Sequence, residues 1–379
     1  MNEEWVTVWA RAQRGVAAVA SVNRRHFEVE LAQTYGAREL RLVFGARYDD
    51  GDARVAAAIS APFASRGVLF SGESSGTVQA GGVLISDPVP LGDMAEGPVR
   101  ITWELMSKTG SVSAFDSAAY DAVKLVPGSA ASASRTIFGL SAVELRGSRL
   151  RGCVAFFGDS ICELGTYFKR CRPVLEQRGY AALNLGISGN RLLRDIEWVD
   201  FSKTSRGDLQ AMREKHPDTM VSVPRRSQAY GLAGVKRFSS DVLACSGMRM
   251  VVIALGVNDL YIPGTFCGSM DELPSVDDLM SGYAQLAGLL DDRTEAVWCS
   301  LTPFVATCGE EGRRGHLRTE ANDLLEVWAA GRGERFVSFE DALAPNGRQD
   351  ERLFEPDLLH PNDRGGAAMF ARMRPMLDV

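Results

Sequence analysis

The sequence predicts an α/β protein: an open parallel sheet of five strands with helices on both faces, preceded by an all-β sandwich or jelly roll. Three observations predict it. From Cys153 onward, short apolar runs alternate with helical patterns, as successive βα units do. Ahead of that, segments alternate with period two between Gly- and Asp-containing turns, without a long helical pattern. Finally, 379 residues suffice for two domains that each bury a core. The change of pattern at Arg146-Gly147-Ser148 sets the boundary, giving a β domain over 1–147 and an α/β domain over 148–379.

In the first domain His26-Phe27-Glu28-Val29-Glu30-Leu31, Leu40–Phe44 and Val99–Leu105 alternate apolar with polar residues and read as half-buried strands. Tyr48–Asp52 and Ser71–Gly76 are turn-rich. Pro127–Ser134 is of low complexity and reads as an exposed loop before a last strand, Ile137–Leu145. In the second domain the strands are Cys153–Phe157, Ala181–Leu185, Met250–Leu255, Ala296–Leu301 and Arg335–Phe339. Helical stretches fall near 162–178, 233–245, 277–290, 318–331 and 364–376.

Composition narrows the function. The chain is 45% hydrophobic and 24% charged, ordinary for a globular protein. Its net charge of −6 argues against nucleic-acid or membrane-surface partners. No apolar run reaches the roughly 20 residues that span a bilayer. The start, Met1-Asn2-Glu3-Glu4-Trp5, has no basic flank or apolar core of a signal peptide, so a cytoplasmic location is expected unless a leader was removed. Seven cysteines without CxxC spacing fit reduced thiols better than a disulfide framework or zinc site. Nothing resembles a nucleotide loop or a metal-ligand pattern, so no metal and no cofactor are expected. The pattern specifies no oligomeric state.

The chemistry lies at the carboxyl ends of the strands, where ligands of open parallel sheets bind. The first strand runs into Gly158-Asp159-Ser160, a sharp turn into a helix that lifts the Ser160 hydroxyl out of the sheet beside helix amides. Alone, this is more often a βα turn using Asp and Ser as caps. The second strand ends in Gly186-Ile187-Ser188-Gly189-Asn190-Arg191, where glycines let backbone amides approach a ligand. The third ends in Gly256-Val257-Asn258-Asp259, and an Asn there can donate to an oxyanion or simply make an Asx-turn. After the fifth comes Asp357-Leu358-Leu359-His360-Pro361. Its three-residue spacing can join carboxylate to imidazole, while Pro361 keeps His360 out of regular helix. Four such motifs, each at a strand's carboxyl edge, argue jointly for a catalytic site. His26, His216 and His316 are weaker candidates; none follows an Asp three residues back at the sheet edge.

These blocks resemble those of the SGNH hydrolases, or GDSL-type esterases. Trp5–Trp9 and Ile85–Val89 resemble a bacterial subgroup that carries a β-rich domain ahead of the hydrolase domain. The resemblance implies a three-layer αβα sandwich with a flavodoxin-like sheet. It also implies Ser160 as nucleophile, His360 as general base and acid, and Asp357 as the carboxylate orienting the imidazole. The N–H groups of Ser160 and Gly189 and the side-chain amide of Asn258 would form the oxyanion hole. A serine hydroxyl needs such a base, and His is the side chain suited to be one near neutrality.

Two departures from the family stand out. Ile161-Cys162-Glu163-Leu164-Gly165 replaces the usual sequence after the nucleophile, bringing Cys162 and Glu163 near the pocket mouth. An inserted loop spans about 196–229; such segments act as lids or binding loops, or decorate the surface. Candidate substrate contacts are Asp159, Asn190 and Arg191, with Trp198, Arg225 and Arg226 of the insertion. The expectation is a cofactor-independent serine hydrolase removing short acyl groups, acetyl above all, from a small-molecule or glycan ester. The rivals are a lipase or aryl esterase, an acyltransferase using the same acyl-enzyme, and a non-enzymatic glycan-binding protein.

Overall fold

A continuous apolar run is stable only when covered on both faces, and Gly152–Gly158 (β1) and Tyr180–Gly186 (β2) are buried at every position. The structure, a computed structural model, describes residues 4–17, 25–107, 111–116, 123–125, 136–197, 228–265, 267–306 and 311–378. Contacts divide it into two compact units, one running through Gly152 and one built from Cys153–Lys203 and Tyr230–Val379.

In the second unit β1 and β2 join Met248–Ala254 (β3), Glu295–Cys299 (β4) and Arg335–Val337 (β5) in one sheet of order β2-β1-β3-β4-β5. The pairings β1–β3, β3–β4 and β4–β5 are parallel. This order places a reversal of winding between β1 and β3, the crevice where such sheets bind ligands. Helices Ser160–Leu164 (α1), Phe168–Gln177 (α2), Gly234–Phe238 (α3), Val257–Tyr261 (α4), Val276–Ala287 (α5), Glu311–Gly331 (α6), Phe339–Leu343 (α7) and Asp363–Met373 (α8) complete the unit.

Element boundaries depart from expectation where one residue redirects the chain. The single helix expected over 162–178 is two, because Gly165 takes a left-handed conformation, φ +70°, that ends α1. After α3 the ladder widens into one π-type turn, Ser239–Leu243. β4 stops at Cys299 because the Leu301 N–H donates to Asn322 Oδ1 at 2.7 Å instead of a neighbouring strand. β5 stops at Val337 because Ser338 caps α7, accepting from the Asp341 N–H. Helix α6 begins at Glu311, ahead of the expected 318, so His316 is helical. The Gly312 and Gly315 penalty is offset by the fully buried Arg314, which donates to the carbonyls of Leu260 and Pro263.

Among the described residues, the strands of the first unit pair antiparallel. One sheet orders Trp5–Ala10, Leu140–Arg146, Glu39–Gly45 and Val83–Ile85, and another orders Val123–Leu125, Arg25–Leu31, Val99–Ser107, Ala53–Ala61 and Ala64–Val68. A third holds Thr136–Phe138, Ser111–Asp116 and Arg14–Ala17. The three alternating segments are strands. Their inward residues meet in an aromatic core: Trp103 stacks on Phe27 at 5.2 Å and meets Phe44 edge-on at 6.3 Å. The expected last strand breaks at Gly139 (φ +79°), and its halves join different sheets. Pro127–Ser134 lies outside the described residues. No helix among those described is long and apolar enough to cross a membrane.

The end of β2 rests directly on α1. A methyl at Gly186 would lie 2.4 Å from the Glu163 backbone N and 2.8 Å from the Asp159 carbonyl O, and backbone cannot yield as a side chain can. Gly186→Ala is expected to destabilise the fold by about 1–3 kcal/mol, the usual cost of overpacking, read as a lower urea midpoint at unchanged m-value.

Candidate active site

β1 ends at Gly158, where no side chain fits: an added methyl would sit 2.6 Å from both the Ala254 O and Cys162 Cβ. The chain therefore turns at once into α1. Asp159 is its N-cap, and its Oδ1 accepts from the Ile161 N–H at 2.9 Å. That makes Ser160 the first helical residue, with its hydroxyl at the sheet edge.

His360 arrives from the other end of the chain. Its Nε2 lies 2.8 Å from Ser160 Oγ, and its Nδ1 lies 2.6 Å from Asp357 Oδ2. Asp357 also accepts through Oδ1 from the N–H groups of Leu359 (3.0 Å) and His360 (2.9 Å). Between them Leu358 adopts a left-handed φ of +53°, a conformation costing about 1–2 kcal/mol for a non-glycine residue. Its carbonyl accepts from Gln349 Nε2 and the Val305 N–H, and these bonds hold the strained turn. Asn362 then caps α8, accepting from Arg364 and Gly365, and its Nδ2 donates to Phe354 O.

The acids differ in environment. Desolvation pushes the Asp357 carboxyl up, but the hydrogen bonds from the His360 ring and from the His360 and Leu359 N–H groups outweigh it and hold the carboxyl below the usual range. It is thus an anion beside Nδ1, which favours a proton on Nδ1 and leaves Nε2 to accept from Ser160. Asp159 behaves oppositely. Burial pushes it up to about 7, the Ile161 N–H and the Arg237 charge opposing and Asp259 reinforcing. Burial likewise raises Asp259 to about 6 against Arg191 and the N–H groups of Leu192 and Leu193.

Around the proposed oxyanion position, Gly189 takes φ +73°. Asn258 Nδ2 donates to the Asn190 carbonyl at 3.0 Å, which leaves the second N–H of the amide for a ligand. Asn190 and Arg191, expected as substrate contacts, are 1% exposed and engaged within the protein. Asn190 Nδ2 donates to the carbonyls of Tyr230 (2.7 Å) and Leu232 (2.8 Å), and Arg191 pairs with Glu272. Asp159, 2% exposed, is occupied as a cap. Trp198, Arg225 and Arg226, with most of the insertion, lie outside the described residues. Sequence reasoning missed Arg237, whose guanidinium donates to Gly158 O (2.8 Å), Leu185 O (3.0 Å), Asn190 Oδ1 (2.8 Å) and Asp241 (3.0 Å). An arginine in a helical pattern reads as surface, so no sequence signal marked it.

A family model, the GDSL-like lipase/acylhydrolase family, matches residues 156–368. The chain belongs to that family. As a GDSL-type acylhydrolase it is an ester hydrolase, and the match covers every block from Gly158 to Pro361. Among solved structures, an acetylxylan esterase from Geobacillus stearothermophilus is 16% identical with a TM-score of 0.41, over 60% of this chain and 94% of that one. A GDSL-like lipase from Bacteroides thetaiotaomicron is 18% identical, TM-score 0.38, over 60% and 87%. The acetyl xylan esterase AlAXEase is 20% identical, TM-score 0.37, over 59% and 98%. None of these likenesses bears on substrate or residue roles. No curated protein sequence matches the chain. Among the described residues of this acylhydrolase, no group of three His, Cys, Asp or Glu side chains is arranged to hold a metal ion.

The buried Asp159 has a consequence for stability. Folded, it keeps its proton to about pH 7; its ordinary value is 3.8. Through this group the folded state binds more protons between these values, so the contribution of Asp159 to stability falls as pH rises from about 4 to about 7. Asp159→Asn keeps an N-cap acceptor and removes this group's share of the slope. Urea midpoints across that range should decline less steeply in the variant than in wild type.

Proposed function

We propose that the protein is a serine ester hydrolase that removes short acyl groups, acetyl in the first instance, from a carbohydrate ester. The observation that carries this reading is the continuous relay from Ser160 Oγ through His360 to Asp357, at 2.8 and 2.6 Å.

In this reading His360 Nε2 takes the Ser160 proton as Oγ attacks the ester carbonyl. The oxyanion forms facing the N–H groups of Ser160 and Gly189 and the remaining Asn258 N–H, which cost no reorganisation because the fold already holds them. The imidazolium, stabilised by Asp357, returns its proton to the departing alcohol and leaves an acyl-enzyme. Water, deprotonated by the same nitrogen, then releases the acid.

Three features support the finer points. The side chains of His360 and Asp357 are 23% and 47% exposed, so water reaches the base that must activate it, favouring hydrolysis over transfer to a sugar. Beside Gly189 the space is filled: a methyl there would meet the Tyr230 ring at 2.3 Å. Ile196, Ile262 and Cys267 form a buried cluster against which Tyr230 packs. Such crowding suits an acetyl-sized group. The carbohydrate assignment is supported by the β-rich unit ahead of the hydrolase, a platform suited to glycans.

A p-nitrophenyl ester panel of rising chain length, run beside acetylated oligosaccharides, tests the reading. Turnover should be highest for acetate and fall with chain length. Ser160→Ala should lose at least about 1,000-fold in kcat, as removal of a nucleophile acting with its base does. Retention of a tenth of wild-type turnover, with unchanged melting, would sink it.

A further inference from the structure

Glu163 is a buried carboxylate to which the acyl-transfer scheme assigns no task. It is 8% exposed, and a buried carboxylate is costly unless its oxygens are satisfied. Both donors of one residue, Ser188, reach one of its oxygens. Glu163 Oε2 accepts from the Ser188 N–H at 2.6 Å and from Ser188 Oγ at 2.5 Å.

The placement of the two residues gives this pair a meaning beyond satisfaction. Glu163 lies in the same short helix as Ser160, three residues on, and Ser188 directly precedes Gly189. On the far side of Gly189, Asn190 is held through its side chain by Arg237 and through its carbonyl by Asn258. Gly186, one residue past which the loop begins, lies against the α1 backbone with no room for a methyl. The 187–190 turn is thus clamped at both ends, and Glu163 is the end that belongs to the nucleophile's own helix.

We infer that Glu163 is a positioning residue: it holds Ser188, and hence the Gly189 N–H, in register with Ser160, so that the oxyanion hole is set before an ester arrives. The inference rests on the oxyanion role proposed for Gly189. A charged acceptor suits the task because charge-assisted hydrogen bonds are shorter and stronger than neutral ones, and one oxygen here takes two donors. Without it the turn keeps its Asn190 anchors and the Ile187 N–H bond to Gly158 O at 3.2 Å, but Ser188 between them can rotate, and a donor displaced by even 1 Å loses most of its value to a transition state.

The test uses the full chain, p-nitrophenyl acetate and a small alkylboronic acid, whose serine adduct is tetrahedral and carries an oxygen into the oxyanion position. Glu163→Ala should lower kcat about 10–100-fold, short of the full loss of an oxyanion donor, with KM within about twofold. Boronate affinity should weaken in parallel, which a merely structural role would not produce in protein assayed well below its melting temperature. Glu163→Gln, which keeps an oxygen of the same reach, should recover kcat to within about fivefold of wild type. If Glu163→Ala does not fold, Ser188→Ala is read instead. It removes only the hydroxyl bond and should lower kcat and boronate affinity together by about 2–10-fold. Unchanged kcat and boronate affinity in the variant that folds overturn the inference while leaving the esterase reading intact, provided Ser160→Ala is inactive. If Ser160→Ala retains wild-type turnover, the underlying reading fails instead.

Discussion

The carboxyl edge of the sheet depends on one buried cation. Arg237 has no solvent exposure, and its guanidinium lies 4.0 Å over the Phe157 ring. It reaches the carbonyl ends of two adjacent strands, Gly158 on β1 and Leu185 on β2, as well as the Asn190 side chain. A parallel sheet's strand ends carry carbonyls with no further ladder partner, and buried carbonyls must be paired. A planar fork with five donors can serve several at once, as a lysine cannot. Asp241, 7% exposed and one helical turn away, balances the charge. Removing either partner would leave the other buried and unpaired, the costly case for interior ions.

From this anchor the site is assembled by fixed backbone more than by side chains. Gly158 and Gly186 let β1, β2 and α1 approach to distances that a methyl would forbid. Asp159 starts α1, Glu163 ties it to Ser188, and Asn258 closes the other side on Asn190. Preorganisation of this kind concentrates catalytic value in donors that need not move when charge develops. The strain of the site sits elsewhere, at Leu358, where the turn presenting His360 is held by Gln349, Asn362 and the bonds Asp357 accepts.

The carboxyls of the unit divide by environment. Asp357, part-exposed and rich in donors, is held below the usual carboxylate range beside the His360 ring. Asp159 and Asp259, fully enclosed, are pushed the other way by burial, to about 7 and about 6. The opposite shifts follow from burial weighed against hydrogen bonds, and they separate a group that works electrostatically on the imidazole from two that organise backbone amides.

Much of this was legible in the residues. The unbroken apolar run Cys153–Phe157, and Ala181–Leu185 interrupted only by Asn184, read as strands covered on both faces, and period-two runs such as His26–Leu31 as half-covered ones. The Gly-Asp-Ser turn, the Gly189 loop, Asn258 and the Asp357–His360 spacing were local patterns, because a turn or a cap is decided within a few residues. Tertiary structure alone decided the rest. Arg237 and Arg314 look like surface in the sequence, since only packing reveals which cation is enclosed by carbonyls. Asn190, read as a substrate contact, spends its amide donors inside the protein, and Arg191, read likewise, is enclosed and paired with Glu272. The 200-residue gap between Ser160 and His360 closes to 2.8 Å only when the sheet order is set. Sequence carries information about neighbours along the chain; which distant donor meets which acceptor is settled by the winding of β2-β1-β3-β4-β5, and there the chemistry of this acylhydrolase is made.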